Sequence, residues 1–223
     1  MKRFFIFLLF GWVMMVGWTS SVSAEQWYRV RWVADGDTIF LQDGRRIRFI
    51  GINAPEVAHK EHPAEPFGDT ARNALIKIID HRLVRLEWDE VRRDHYGRHL
   101  AYVFDQKNHL LSRVMVAKGL AHVLYDKKNR RYFEILLKTQ QKAMAEKKGF
   151  WKLFQAPNIN ESFVGNKRSL RFHTLNCPEA KKIYWKNRVK IATAQGAFQQ
   201  GYAPAKECLK GIGRFIRSVK IPE

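Results

Sequence analysis

Three short clusters carry the residue types from which a catalytic site is built. The first, Asp35-Gly36-Asp37-Thr38, sets two carboxylates on either side of a glycine. Such a segment is either a solvated turn or half of a site for a hard cation, which takes carboxylate, amide and carbonyl oxygens. The second, Arg48-Phe49-Ile50-Gly51-Ile52-Asn53-Ala54-Pro55-Glu56, is an apolar strand ending in a side-chain amide oxygen, a proline and a carboxylate. Barrels present functional groups at strand ends, and a polar turn is also how most strands stop. The third, Asp94-His95-Tyr96-Gly97-Arg98, is a polar turn ahead of another strand. Taken alone it reads equally well as a hairpin turn with an exposed arginine.

The elements that must position these clusters appear as short periodic runs. Residues 27–33 alternate, with Tyr28, Val30 and Trp32 on one face, which predicts a half-buried strand. Strands over 37–41 and 45–50 flank Gln42-Asp43-Gly44, where Asp-Gly is a hairpin signal. Ala71, Ala74, Leu75, Ile78 and Ile79 predict a helix over 67–79. Further strands are expected over 83–88 and 100–104, and helices over 110–118 and 130–147. The expected fold class is α+β: a five-stranded OB-type β-barrel with three helices, plus a small α+β C-terminal domain. The expected boundaries are 25–155 for the barrel domain, 156–163 for a linker through Ala156-Pro157-Asn158, and 164–223 for the C-terminal domain.

The chain has 223 residues, with 40 Lys and Arg against 21 Asp and Glu, a net charge of +19. A 46% hydrophobic and 13% aromatic composition excludes a disordered basic tail, and two cysteines exclude a disulfide-rich scaffold. The charge points to polyanionic partners, with nucleic acid ahead of an anionic membrane. It is unevenly spread. Residues 25–160 hold 25 basic and 17 acidic side chains, a net of +8, whereas the shorter 161–223 holds 13 and 4, a net of +9.

Met1-Lys2-Arg3, the uncharged apolar run 4–18 and Val22-Ser23-Ala24 have the pattern of a secretory signal peptide spanning 1–24, cleaved after Ala24. That predicts a secreted or periplasmic protein, tethered to the membrane if the signal is retained.

The three clusters together resemble the staphylococcal nuclease family. The likeness runs in order through Val33-Ala34-Asp35-Gly36-Asp37-Thr38, Arg48 with Ile50 to Glu56, and Asp94 to Val103. It continues through Val116-Ala117-Lys118-Gly119-Leu120-Ala121-His122-Val123 to Gly149-Phe150-Trp151, covering roughly residues 26–155. The resemblance implies a five-stranded barrel with three helices and calcium-dependent hydrolysis of phosphodiesters in DNA and RNA. It implies one Ca2+ per site, held by Asp37, Asn53 and the backbone carbonyl of Ala54, with Arg48 and Arg98 clamping the phosphate. Glu56 corresponds to the carboxylate that orients or deprotonates the attacking water, and Tyr96 and Tyr125 correspond to substrate-binding aromatics. Physical requirements agree, because in-line attack on a phosphodiester anion needs a cation and fixed guanidiniums around the charged oxygens. No obligate protein partner is implied, and a monomer is expected.

Asn53 departs from the family's usual aspartate. It keeps a carbonyl oxygen but removes a full charge, so weaker calcium binding is expected. The departure keeps a second reading in view, a noncatalytic nucleic-acid-binding protein used in DNA uptake or surface attachment.

The last 63 residues resemble the Ada-type zinc-binding module, with His173 and Cys177 on its first ligand pair and Cys208 on its final cysteine. Ala205 stands where another cysteine belongs, leaving a Zn2+ site incomplete. In an oxidising compartment Cys177–Cys208 therefore reads as a disulfide ahead of zinc. Lysines and arginines interspersed with Tyr184, Trp185, Phe198 and Tyr202 suit contact with single-stranded nucleic acid, or equally a small core with a solubilising surface. Residues 207–220 predict a basic helix with Leu209, Ile212, Phe215 and Ile216 on one face, docking on the domain or resting on a membrane.

Overall fold

The structure, a computed structural model, describes residues 26–59, 63–154, 162–209 and 212–216. The signal peptide expected over 1–24 lies outside them. In chain order come β1 (Trp27–Asp35), β2 (Thr38–Leu41), β3 (Arg46–Phe49), β4 (Ile52–Asn53), α1 (Gly68–Ile79), β5 (Leu83–Glu87), β6 (His99–Phe104), α2 (Leu111–Ala117), β7 (His122–Val123) and α3 (Phe133–Ala145). They close a barrel in the order β1-β2-β3-β6-β5, while β4 and β7 pair separately. Only β3–β6 is parallel within the barrel. The expected α+β fold with a five-stranded barrel and three helices is what forms.

Apolar residues from every barrel strand meet Ala71, Leu75 and Ile79 of α1 and Leu111, Met115 and Val116 of α2 in one core. This is why the helical spacing in 67–79 was legible: the stripe that spaces those residues is the face buried against the sheet.

Strict alternation fails in β1. Its register against β2 shifts between Val30 and Trp32 and again between Val33 and Asp35. Each shift inserts an unpaired residue, a bulge that rotates the following side chains to the other face. Val30 and Val33 therefore reach the core, and Trp32, expected inside, is 42% exposed. Its ring stacks on Phe40 with centroids 4.4 Å apart.

The C-terminal region builds β8 (Phe163–Asn166), β9 (Arg171–Thr174), α4 (Pro178–Lys181), β10 (Arg188–Ile191), α5 (Ala194–Gln199), β11 (Ala203–Pro204) and α6 (Lys206–Leu209). Its sheet runs β10-β8-β9-β11, with β11 parallel to β9. Phe163, expected in the linker, already belongs to β8 and is buried. No continuous helix covers the described part of 207–220. Among the described residues the chain makes α6, then a 3-10 turn at Gly213–Phe215, where glycine is a poor helix former. Leu209, Ile212, Phe215 and Ile216 are nevertheless all buried in the C-terminal core, which rules out their resting on a membrane.

That core is shared with the barrel unit. Ala143 and Met144 of α3, with Phe150 and Trp151 beyond it, pack in one cluster with Phe163, Phe172, Phe198 and Phe215. Gln140, fully buried in α3, accepts from the Val123 N–H at 2.7 Å and donates to the Phe198 carbonyl at 2.6 Å.

Cys177 and Cys208 form a disulfide, as expected ahead of zinc. His173 Nδ1 lies 3.6 Å from the Cys177 sulfur and 3.5 Å from that of Cys208. With both sulfurs bonded to each other, neither is a thiolate, and the three residues do not compose the zinc site of the Ada-type module.

Candidate active site

The Asp35-Gly36-Asp37 turn joins β1 to β2 and is held from both sides. The Asp37 N–H donates to Asp35 Oδ1 at 2.9 Å, and the Asp37 carbonyl accepts from the Phe49 N–H of β3 at 2.8 Å. Glycine is required at position 36 by proximity. A Cβ there would stand 2.7 Å from the Cβ atoms of both Ala54 and Ala71. The turn is thereby pressed between α1 and the strand-end loop that carries the second cluster.

Four sequence-predicted residues meet in one buried network. Asp37 Oδ2 accepts from the Ala54 N–H at 2.6 Å and pairs with Arg48 Nη1 at 2.7 Å. The other arginine nitrogen, Nη2, donates to Asn53 Oδ1 at 2.9 Å, and Asn53 Nδ2 donates to the Ala54 carbonyl at 3.2 Å. One guanidinium thus bridges a carboxylate from the β1–β2 turn and an amide from β4. Burial raises the Asp37 carboxyl well above the usual aspartate range, Arg48 opposes that shift, and the neighbouring Asp35 adds to it.

Glu56 follows two residues after Ala54 and is exposed. Its backbone is anchored to Glu65: the Glu56 N–H donates to Glu65 Oε2 at 3.1 Å, and its carbonyl accepts from the Glu65 N–H at 2.9 Å. A Cβ on Gly68 would overlap the same Glu56 carbonyl, so glycine there lets the start of α1 sit against the loop. Burial, ahead of the nearby Glu56 charge, raises the Glu65 carboxyl above its usual range.

Arg98 sits on the turn before β6, apart from this network. Its Nε donates to Asp94 Oδ2 at 2.7 Å, while Asp94 Oδ1 accepts from the Tyr96 and Arg98 N–H groups at 3.0 Å each. Tyr96 is 70% exposed, with the Arg98 guanidinium 5.4 Å from its ring centroid. Tyr125 is half-buried, edge-on to Phe133 at 4.9 Å. Arg48, Asp37, Asn53 and Ala54 are therefore joined directly, whereas no hydrogen bond links Glu56, Arg98, Tyr96 or Tyr125 to them among the described residues.

Three residues near the site were not singled out from sequence as members of it. Asp35 is buried and fixes the Asp37 backbone, and the carboxylate–glycine–carboxylate spacing was its signal. His122 pairs across the β4–β7 ladder with Asn53 and is buried, and a lone histidine in an apolar run carries no such signal. Arg171 of β9 donates through Nη1 to the Tyr125 carbonyl at 3.2 Å, a contact that only tertiary packing reveals.

The donor set suits a hard cation. Asp37 supplies a carboxylate, Asn53 an amide oxygen and Ala54 a backbone carbonyl, all within one hydrogen-bonded network beside Asp35. No sulfur or imidazole shares that network, which argues against a softer metal.

Comparison with known proteins agrees with the geometry. Residues 46–153 match the family model described as staphylococcal nuclease homologue. The chain is 35% identical over 134 residues to a thermonuclease of Staphylococcus hyicus, covering 59% of this chain and 79% of the relative. It is 34% identical over 127 residues to a thermonuclease of Staphylococcus intermedius, covering 56% and 75%. Endonuclease YncB of Bacillus subtilis (strain 168) is 31% identical over 123 residues, covering 52% and 57%.

Proposed function

The chain belongs to the staphylococcal nuclease family and is a phosphodiester-hydrolysing nuclease, and on that premise we propose that it is a secreted enzyme that cuts DNA and RNA with the help of Ca2+. The observation that carries this reading is the buried network in which Arg48 spans Asp37 and Asn53, with Ala54 closing it. Asp37, Asn53 and the Ala54 carbonyl are the residues that would hold Ca2+, a hard cation that would offset charge on the phosphate as water attacks.

The remaining roles fall to the protein's own side chains. Arg98 offers a planar fork of N–H donors to the phosphate oxygens, and Arg48, whose Nη groups bridge Asp37 and Asn53, offers its Nε and remaining Nη hydrogen. Asp94 keeps the Arg98 fork in place through Nε, which leaves both Nη groups to face substrate. Glu56 is exposed on the loop that starts at the network and is available to position a water or accept its proton. Water adds to phosphorus as one P–O ester bond breaks, giving a phosphate monoester on one fragment and a hydroxyl on the other. Tyr96 and Tyr125 offer aromatic surface for the nucleotide beside the cut.

Secretion is supported by the Cys177–Cys208 disulfide, a bond that persists in oxidising compartments. A chain acting as a monomer without an obligate protein partner completes the proposal.

The test is degradation of supercoiled plasmid by the chain lacking residues 1–24, with Ca2+, with chelator, and with Glu56→Gln. Cutting that needs Ca2+ and falls by about two to four orders of magnitude in the variant supports the proposal. Undiminished cutting in chelator overturns the calcium requirement.

A further inference from the structure

A cleft of about 450 Å³ opens beside the catalytic network, where the barrel meets the C-terminal sheet. Asn53 and His122 form its barrel wall, Ser169, Arg171 and Lys206 line it from the C-terminal side, and Lys182 stands among its lining residues. It is large enough for a nucleotide unit.

The cleft's chemistry favours an anion. Arg171 is fastened through Nη1 to the carbonyls of Tyr125 at 3.2 Å and Ser169 at 3.0 Å, yet no carboxylate pairs with it among the described residues. Asp126 and Glu207 act on it only as more distant charges, so a ligand's negative charge placed directly on this largely buried guanidinium would be favourable. Lys206 is exposed and makes no direct ion pair among the described residues, with the Glu65 carboxyl acting on it from further away. His122, which pairs with Asn53 across the β4–β7 ladder, lines the same cleft. Its Nε2 is buried and meets no partner among the described residues. Two acids also line the cleft, but Glu179 is taken up by Lys182 at 2.6 Å, which leaves Glu207 exposed at the rim.

Lys182 and Ile183 of the lining lead directly into Tyr184 and Trp185, which are 57% and 67% exposed. Their rings lie 5.9 Å apart, with Lys186 Nζ 5.3 Å from the Trp185 centroid. Phe198 and Tyr202, the other aromatics named among these basic residues, are buried in the core. Large exposed rings beside lysines form a stacking surface for unpaired bases.

We propose that the C-terminal module supplies a second substrate subsite, in which Arg171 and Lys206 hold a phosphate next to the one being cut and Tyr184 and Trp185 stack bases of the same single strand. The subsite deepens the nuclease reading and rests on it for the position of the cut. It gives the module a role in binding longer strands, and it places part of the C-terminal positive charge beside the reaction.

The test uses the chain lacking residues 1–24, with oligothymidylate of about 20 nucleotides and a thymidine dinucleotide as substrates. Binding of the longer strand is read by fluorescence anisotropy in chelator, and cleavage of both in Ca2+. Tyr184→Ala/Trp185→Ala, on exposed positions, is expected to weaken binding of the longer strand at least about tenfold and to shrink the preference for it over the dinucleotide. Lys206→Ala is expected to lower the salt slope of binding by about 0.7. Unchanged affinity, length preference and salt slope in both variants overturn the subsite. Loss of binding in the variants of a protein that cuts neither substrate supports the subsite and overturns the nuclease reading instead.

Discussion

Nη1 of Arg48 lies 2.7 Å from Oδ2 of Asp37, and both side chains are buried. The pair joins the β1–β2 turn to β3, and the arginine's second Nη extends the connection to Asn53. A lysine keeps the charge but cannot make both contacts from one planar group. Arg48→Lys is expected to lower kcat by about 100- to 1,000-fold at saturating Ca2+. A loss smaller than tenfold would mean that the fork geometry is not used in the reaction.

Asn53→Asp adds a carboxylate where the network has an amide oxygen. More ligand charge tightens hard-cation binding. The Ca2+ concentration for half-maximal cutting is expected to fall by about tenfold, read from a calcium titration. An unchanged titration would refute the account of Asn53 as a weakening substitution.

Gly36→Ala forces a methyl group against Ala54 and Ala71 at 2.7 Å. Overpacking of this kind costs about 1–3 kcal/mol, and here the displaced residue carries the carbonyl assigned to the cation. Chemical denaturation should show the stability loss, and the calcium requirement should rise with it. A variant with full stability and an unchanged requirement would show that the turn and loop can separate without consequence.

His122 carries a pH dependence of stability. Burial first, and then the cations around it, lower its pKa from 6.5 to about 4. A histidine whose folded pKa lies below its unfolded value contributes stability that is complete above pH 6.5 and lost as pH falls towards 4. The loss from this group alone amounts to about 3 kcal/mol. Urea unfolding in chelator across that range should show it, and His122→Leu should flatten the slope. Parallel pH profiles for the two proteins would contradict the assignment.

Gln140 connects β7 to α5 of the C-terminal region through the Val123 N–H and the Phe198 carbonyl. Gln140→Ala strands both groups in the core, at a cost of about 2–4 kcal/mol. Unfolding should remain a single transition, because Trp151 and Phe198, in edge contact at 5.2 Å, belong to the same shared core. Two separated transitions in the unmodified protein would show that the barrel and the C-terminal module fold independently.

The barrel was legible because its signals are local. Alternation marked most strands, Asp43-Gly44 marked the hairpin, and Ala71, Leu75 and Ile79 marked α1. Residue order singled out Asp37, Arg48, Asn53 and Ala54, and these four meet in the fold. Prediction failed where a local pattern had more than one packing solution. The β1 bulges turned Trp32 outward, and a 3-10 turn at Gly213–Phe215 stands where 207–220 was expected to be helical, while its described apolar residues still reached the core. Composition also could not sort the C-terminal aromatics, of which Phe198 and Tyr202 are core and Tyr184 and Trp185 are surface.

By itself, the sequence determined the groups available to this protein: carboxylate and amide oxygens, guanidiniums, and a positive charge suited to nucleic acid. Those are properties of residue type and order. Tertiary structure alone decided which of these groups meet and which stand apart. Arg171 stands 118 positions after Asn53 in the chain, yet both line one cleft beside the Asp37–Arg48 pair. That proximity follows from packing β9 and the aromatic core against α3 and the β4–β7 ladder, burying apolar surface that no local pattern could have paired in advance.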